Sequence, residues 1–365
     1  MTPKADRPPV LSTFEPLASF LRSQVEAGSV PGAVIAVGRS GGPAYAGAFG
    51  WRSVKPRRER ATERTIYDLA SLTKVMVTAP VLVERAVRGD LSLEEPLERR
   101  LAETRGTPIG SIPLKLLLTH TAGFPAMNPL PDYRRGKARL YASIAREPLE
   151  APPGARFAYS DVGYVLLQGV IERMTGRRLD RVAEAEIFRP LGFRDTRFGI
   201  RPSDRGRVSP TTWERGRWLR GQVHDPRARS RALGGVAGHA GVFGTAVETA
   251  RFCEMLLRGG TFGGRRILSE ATVRLMTTAQ NDGPAGVRRG FGADIESPYS
   301  SPRGALFSRD SYGHTGFTGV SLWVDPVNDG YVVLLTNSVH PDGHKDLKPF
   351  RAEAATLAAR GLGLG

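Results

Sequence analysis

Apolar and polar positions repeat along this chain with two different periods, and the period changes with position. From Phe14 onward, Leu17, Phe20, Leu21 and Val25 recur at three- and four-residue spacing, which predicts an amphipathic helix over Glu15 to Glu26. Two β-rich runs follow, GAVIAVGR from Gly32 and PAYAGAFGWRS from Pro43, with SGGP as the turn that joins them. Near the other end, GVSLWVDP and GYVVLLTNSV flank VNDG, a hairpin signal, and LKPFRAEAATLAARGLG predicts a closing helix. Between about Leu72 and Leu257 the period is helical, in LTKVMVTAPVLVERAVRGD, IPLKLLLTH, DVGYVLLQGVIERMTG, LDRVAEAEIFRPLG and VETARFCEMLLRGG, with glycine after several as a stop. The economical arrangement is an α/β (α+β) fold: one antiparallel sheet built from both ends of the chain, flanked by helices, with a helical domain inserted. The expected boundaries are 1–75 plus 258–365 for a discontinuous sheet domain and 76–257 for the insert.

The 365 residues have ample length for a sizeable core, and 40% hydrophobic with 24% charged residues is ordinary globular composition. The net charge of +16 raises the question of anionic partners. The arginines are dispersed, however, and their densest stretches, Arg52 to Arg64, Arg134 to Arg139 and Arg201 to Ala232, carry no nucleic-acid module, so they read as solvated loops. The single cysteine, Cys253, falls where a helix buries it and reads as a core residue. The opening MTPKADRPPVLSTF lacks the charged-then-apolar pattern of a signal peptide, and no apolar run approaches the ~20 residues that span a bilayer. A soluble cytoplasmic protein is therefore expected, or a periplasmic or secreted one if a leader has been removed.

Candidate chemistry begins at YDLASLTKV. Ser71 and Lys74, three apart at a helix start, share one face with Cβ atoms ~5–6 Å apart, so the lysine can reach the hydroxyl. The first-turn N–H groups there are unpaired and can hold an oxyanion. By itself the pair is a weak signal, because chance places a lysine three residues after many serines; a free lysine is also protonated at neutral pH and needs a shift of ~3 units to act as a base. FAYSDVGYVLL supplies a second group, Tyr159, just before a helix start capped by Ser160 or Asp161. In SYGHTGFTGVSLWVDP, His314, Thr315 and Gly316 lie before or on a strand; the glycine permits close approach of a ligand, and the N–H of Phe317 is a second oxyanion donor.

The order Ser71-Leu72-Thr73-Lys74, Tyr159-Ser160-Asp161, His314-Thr315-Gly316 resembles the signature of the serine β-lactamase and penicillin-binding-protein superfamily. The branch it looks like contains class C β-lactamases, D-aminopeptidases and β-lactamase-fold esterases. LLLTHTAGFP, GGVAGHAGVFGTAVETARF and VVLLTNSVHP also resemble stretches typical of that branch. The resemblance implies a serine hydrolase acting through an acyl-enzyme on Ser71, with Lys74 and Tyr159 relaying the proton and the N–H groups of Ser71 and Phe317 as the oxyanion hole. Asp161, His314, Thr315 and Gly316 then position the substrate in a cleft between the two domains.

Two residues depart from the pattern. Asp161 stands where the branch often has asparagine; its carboxylate pairs with Lys74 and raises the lysine pKa, so the ammonium is expected to persist while Tyr159, as a phenolate favoured by that cation, takes the proton. His314 stands where β-lactamases and penicillin-binding proteins usually carry the lysine that holds the carboxylate of a β-lactam or a terminal D-alanine, and a neutral imidazole supplies less charge. The expected activity is esterase or D-amino-acid peptidase, with true β-lactamase as the alternative and a non-catalytic peptide-binding protein beyond it. Expected partners are small esters, amides or D-amino-acid peptides, with no nucleic acid and no cofactor. His120 and His239 read as structural, and His224, His340 and His344 lack metal-ligand spacing, so no metal is expected.

Overall fold

The computed structural model describes residues 12–280 and 286–365; residues 1–11, where a leader was sought, lie outside the described residues. At its centre is an eight-stranded antiparallel sheet in the order Arg288–Arg289, Asp294–Glu296, Tyr312–Thr315, Ser321–Asp325, Gly330–Thr336, Gly32–Arg39, Gly42–Ser53, Glu59–Arg60. The strands thus come from both ends of the chain and meet where Gly32–Arg39 pairs with Gly330–Thr336, with Ile35 opposite Leu334. Asp329, in the VNDG turn, takes φ +49°. Its carboxylate accepts from the N–H of Ser40 at 2.9 Å and the hydroxyl at 3.0 Å, tying the two hairpin turns together.

The sheet is buried on both faces, which explains why its central strands read as continuous apolar runs. Alternate side chains divide the work. Ala33, Ile35, Val37, Trp323, Val332 and Leu334 pack toward the helices Glu15–Glu26 and Lys348–Gly361. Val34, Ala36, Leu322, Val324, Val333 and Leu335 belong to the larger core that includes the helix Ala246–Leu257 and the helices of the middle of the chain. Cys253 is buried in that core, as expected. No helix among the described residues is long and apolar enough to cross a membrane.

Two local features place the functional segments. Tyr67–Asp68, Val242–Gly244 and Arg197–Phe198 form a small sheet that ties the approach to Ser71 to a segment far along the chain. The helix after Ser71 is continuous, as its period predicts, but Lys74–Thr78 is a π-turn leading into Ala79–Val87. Pro80 has no N–H to close an i−4 bond, and the N–H of Ala79 reaches back to the carbonyl of Lys74 instead.

Ile35 is fully buried at the centre of the sheet. Ile35→Ala is expected to lower unfolding stability by about 2–5 kcal/mol, read as a lower midpoint in urea with an unchanged slope.

Candidate active site

Ser71 sits at the end of a tight elbow. Ala70 adopts φ +45°, a left-handed conformation that costs a non-glycine residue ~1–2 kcal/mol and must be held by its surroundings. Asp68 holds it: one carboxylate oxygen accepts from the Ala70 N–H at 2.9 Å, and the other from the His224 N–H at 2.7 Å. Its backbone carbonyl accepts from the Thr318 hydroxyl at 2.7 Å. Burial pushes the Asp68 carboxyl up to about 6, against the pull of these N–H groups. Sequence reasoning missed Asp68, because nothing distinguishes an acid three residues before a serine from a surface one.

Beneath Ser71 lies Lys74, whose side chain is wholly buried. Its Nζ is 3.0 Å from Ser71 Oγ, 2.7 Å from Asp161 Oδ1 and 3.4 Å from the His239 carbonyl. Burial alone would lower the Lys74 pKa, but Asp161 and Tyr159 outweigh it and the pKa ends above the ordinary lysine value. The ammonium expected from the sequence is therefore the favoured form. The Tyr159 hydroxyl interacts with both Lys74 and Ser71, and the Tyr159 ring centroid lies 4.8 Å from Nζ. Here the balance goes the other way. Burial pushes the Tyr159 pKa up and the neighbouring cation does not cancel it, so the resting side chain is a phenol rather than the cation-favoured phenolate.

The Tyr159 loop is set by its neighbours. His120, at φ +59°, accepts the Ser160 N–H on Nδ1 at 3.1 Å and the Ala158 N–H on its carbonyl at 2.9 Å, and its ring lies 4.4 Å from that of Tyr159. Its role is to position the tyrosine. Ser160 caps the helix Asp161–Thr175 by accepting from the Val162 N–H. With the cap supplied by serine, Asp161 is free to reach Lys74.

The third element is the strand Tyr312–Thr315. His314 is buried, and its Nδ1 donates to the Thr315 carbonyl at 2.7 Å, leaving Nε2 unprotonated and without a partner among the described residues. Burial, with Lys74 and Arg289 nearby, holds its pKa well below the ordinary value, so the ring is neutral. Gly316 packs so tightly on the elbow that a Cβ there would stand 2.8 Å from the Leu69 carbonyl and 3.2 Å from Ala70 Cβ. This closeness brings Phe317 beside Ser71. Neither the Ser71 N–H nor the Phe317 N–H has an acceptor among the described residues.

Ser71, Tyr159, His314, Thr315 and Phe317 line one cleft of about 170 Å³. It is completed by Arg289, Asp294 and Tyr299, which no sequence motif indicated. Arg289 and Asp294 form a buried ion pair at 2.9 Å. Behind Asp161, His239 Nε2 lies 3.1 Å from Asp225 Oδ1, and donor atoms of Asp161, Asp225 and His239 all fall within 4.8 Å of one another. That set has the chemistry of a cation site. The chain's own groups already serve it, however, Lys74 on Asp161 and His239 on Asp225.

The arginines of the basic stretches do not line this cleft, although the stretch Arg201 to Ala232 brings His224 and Asp225 up behind it. Arg207 pairs with Asp195 and Asp204, Arg220 with Glu59, and Arg229 with Glu214. Arg134, Arg178, Arg215, Arg217, Arg229 and Arg231 border an open hollow of about 960 Å³ that shares no lining residue with the cleft at Ser71.

Residues 17–356 match the sequence model of the family described as Beta-lactamase. A protein of Escherichia coli (strain K12) named "Putative D-alanyl-D-alanine carboxypeptidase" is 33% identical over 333 residues, covering 83% of this chain and 76% of the relative. Among solved structures, "A class C beta-lactamase" superposes with a TM-score of 0.78 at 16% identity, covering 97% of this chain and 98% of that one. "EstCE1, a hydrolase with promiscuous acyltransferase activity" superposes at 0.75 and 23%, covering 94% and 98%. At those identities the two structures speak to the fold.

Because the Asp161 carboxylate raises the pKa of both Lys74 and Tyr159, Asp161→Asn lowers both. The rising limb of kcat/KM against pH is expected to move to lower pH, measured with a p-nitrophenyl ester; a limb that stays in place would separate Asp161 from the proton transfer.

Proposed function

Since the chain belongs to the β-lactamase family and is a serine hydrolase, we propose that it cleaves an ester or amide through an acyl-enzyme on Ser71, with a D-amino-acid peptide as the leading substrate class. The observation that carries this reading is the run of contacts from Ser71 Oγ to Lys74 Nζ at 3.0 Å and on to Asp161 at 2.7 Å, below an open cleft. The ammonium holds the hydroxyls of Ser71 and Tyr159 together and stabilises the phenolate fraction of Tyr159 that acts as base. Ser71 Oγ bonds to the substrate carbonyl carbon as its proton passes to Tyr159, and the oxyanion settles on the N–H groups of Ser71 and Phe317. Tyr159 then gives its proton to the departing amine or alcohol. Water repeats the sequence in reverse and frees Ser71.

In this reading segments 1–75 and 258–365 form the sheet unit, and 76–257 is the insert that carries Tyr159 over Ser71. The curated relative's name supports a D-alanyl peptide as substrate. A second reading, esterase, draws on His314. It is neutral where β-lactamases have lysine, and the cleft-lining cation Arg289 is already paired with Asp294. The site thus offers weak attraction to a substrate carboxylate, in a β-lactam or at the end of a D-alanyl peptide alike, which favours esters and D-amino-acid amides and puts true β-lactamase activity behind both readings.

A fluorophosphonate probe is expected to add one label by intact mass, absent in Ser71→Ala. Labelling that survives Ser71→Ala would refute the acyl-enzyme. Turnover of a D-alanyl amide and a p-nitrophenyl ester is expected to exceed that of a chromogenic cephalosporin; the reverse order would make it a β-lactamase.

A further inference from the structure

The C-terminal helix Lys348–Gly361 carries an arginine into the protein rather than out to solvent. Arg351 is only 8% exposed, and no carboxylate lies within ion-pairing distance of it among the described residues. Only the Asp346 carboxylate acts on it, from beyond ion-pairing distance; a buried cation without a direct partner is unfavourable for folding, and an apolar side chain of similar volume would serve the core at least as well. Burial pulls the guanidinium down only to about 10, so it is charged at neutral pH. Its Nη2 donates to the Gly316 carbonyl at 3.0 Å.

That carbonyl and the Phe317 N–H are the two ends of one planar peptide unit, pointing in opposite directions. A charged donor on the oxygen withdraws electron density through the amide and makes the N–H at the other end a stronger donor. The same short segment is clamped on all sides. The Gly319 N–H shares the Gly316 carbonyl at 3.1 Å, the Ser338 hydroxyl donates to the Phe317 carbonyl at 2.6 Å, and Gly316 itself presses on Leu69 and Ala70 beside the nucleophile.

We infer that Arg351 is a positioning residue for the oxyanion hole: seated on the Gly316 carbonyl, it orients and polarises the Gly316–Phe317 peptide so that the Phe317 N–H binds developing negative charge more strongly. The inference rests on the acyl-enzyme reading above. Arg351 touches no substrate; it acts through the peptide it holds.

The test compares Arg351→Met with Ser338→Ala, which removes a neutral hydrogen bond from the neighbouring Phe317–Thr318 peptide together with a 3.4 Å contact to His344 Nδ1. The readout is the infrared carbonyl band of the acyl-enzyme trapped on Ser71. In Arg351→Met the band is expected at higher wavenumber, with kcat/KM reduced about 10-fold, a fraction of the ~10²–10³-fold loss that follows removal of an oxyanion donor outright. The thermal midpoint is expected to stay or rise, and Ser338→Ala is expected to leave the band in place. Should the methionine variant not fold, Arg351→Lys, with a cation but no fork, is read on the same band. An unchanged band at position 351, or an equal shift in Ser338→Ala, overturns the inference while the acyl-enzyme stands. A wild-type protein that is never acylated on Ser71 overturns both.

Discussion

The structure is organised around one buried ammonium. Lys74 is wholly buried with three protons to place, and Ser71 Oγ, Asp161 Oδ1 and the His239 carbonyl converge on it beside the Tyr159 hydroxyl. Removing a partner from a buried ion pair typically costs ~3–5 kcal/mol, so the pairing is a strong constraint on where these chain segments lie. Positions 71, 161 and 239 come from a strand-to-helix elbow, a helix start and a glycine-rich loop. Satisfying one cation therefore brings together three segments that are distant in sequence. In the proposed reaction the geometry follows from electrostatic necessity, because the hydroxyl to be activated is itself one of the required acceptors.

Close backbone approach lets that convergence happen. At Gly238 a Cβ would stand 2.1 Å from the Tyr164 carbonyl, so only glycine lets the His239 loop lie against the helix Asp161–Thr175. The Thr78 hydroxyl donates to the Gly238 carbonyl at 2.7 Å, and Gln168 bonds both the Gly238 N–H and the Val236 carbonyl. On the other side of Ser71, Gly316 plays the same part against the elbow. These polar bridges connect the helix that follows Ser71, the helix that starts at Asp161 and the loop that supplies the third acceptor. They fix the cleft more tightly than apolar packing alone would, since hydrogen bonds are directional and apolar contacts are not.

The excess of positive charge has a different use from the one a +16 chain first suggests. Much of the arginine is spent on internal struts, as in Arg207 across Asp195 and Asp204, or Arg220 on Glu59. The planar fork of arginine suits it to such bidentate bridging between loops with little regular structure of their own. Arg289 and Arg351 extend that usage into the interior, one paired with Asp294 and the other seated on a backbone carbonyl.

The periodicity determined the elements. Glu15–Glu26, the two hairpins, the closing helix and the helices of the middle are local patterns of apolar spacing, and local patterns survive folding when burial agrees with them. The spaced residues Ser71, Lys74, Tyr159 and His314 were legible for the same reason: each lies in a short stretch whose order along the chain is itself the signal. Tertiary structure alone decided the rest. It gave the helix cap to Ser160 and so released Asp161, made burial outweigh the cation at Tyr159, set Arg289 and Asp294 in the cleft wall, and put Asp68 and Arg351 against the backbone segments behind it. Each depends on distances across the fold and on how much water remains at a site, and neither is encoded in the spacing of residues along a chain.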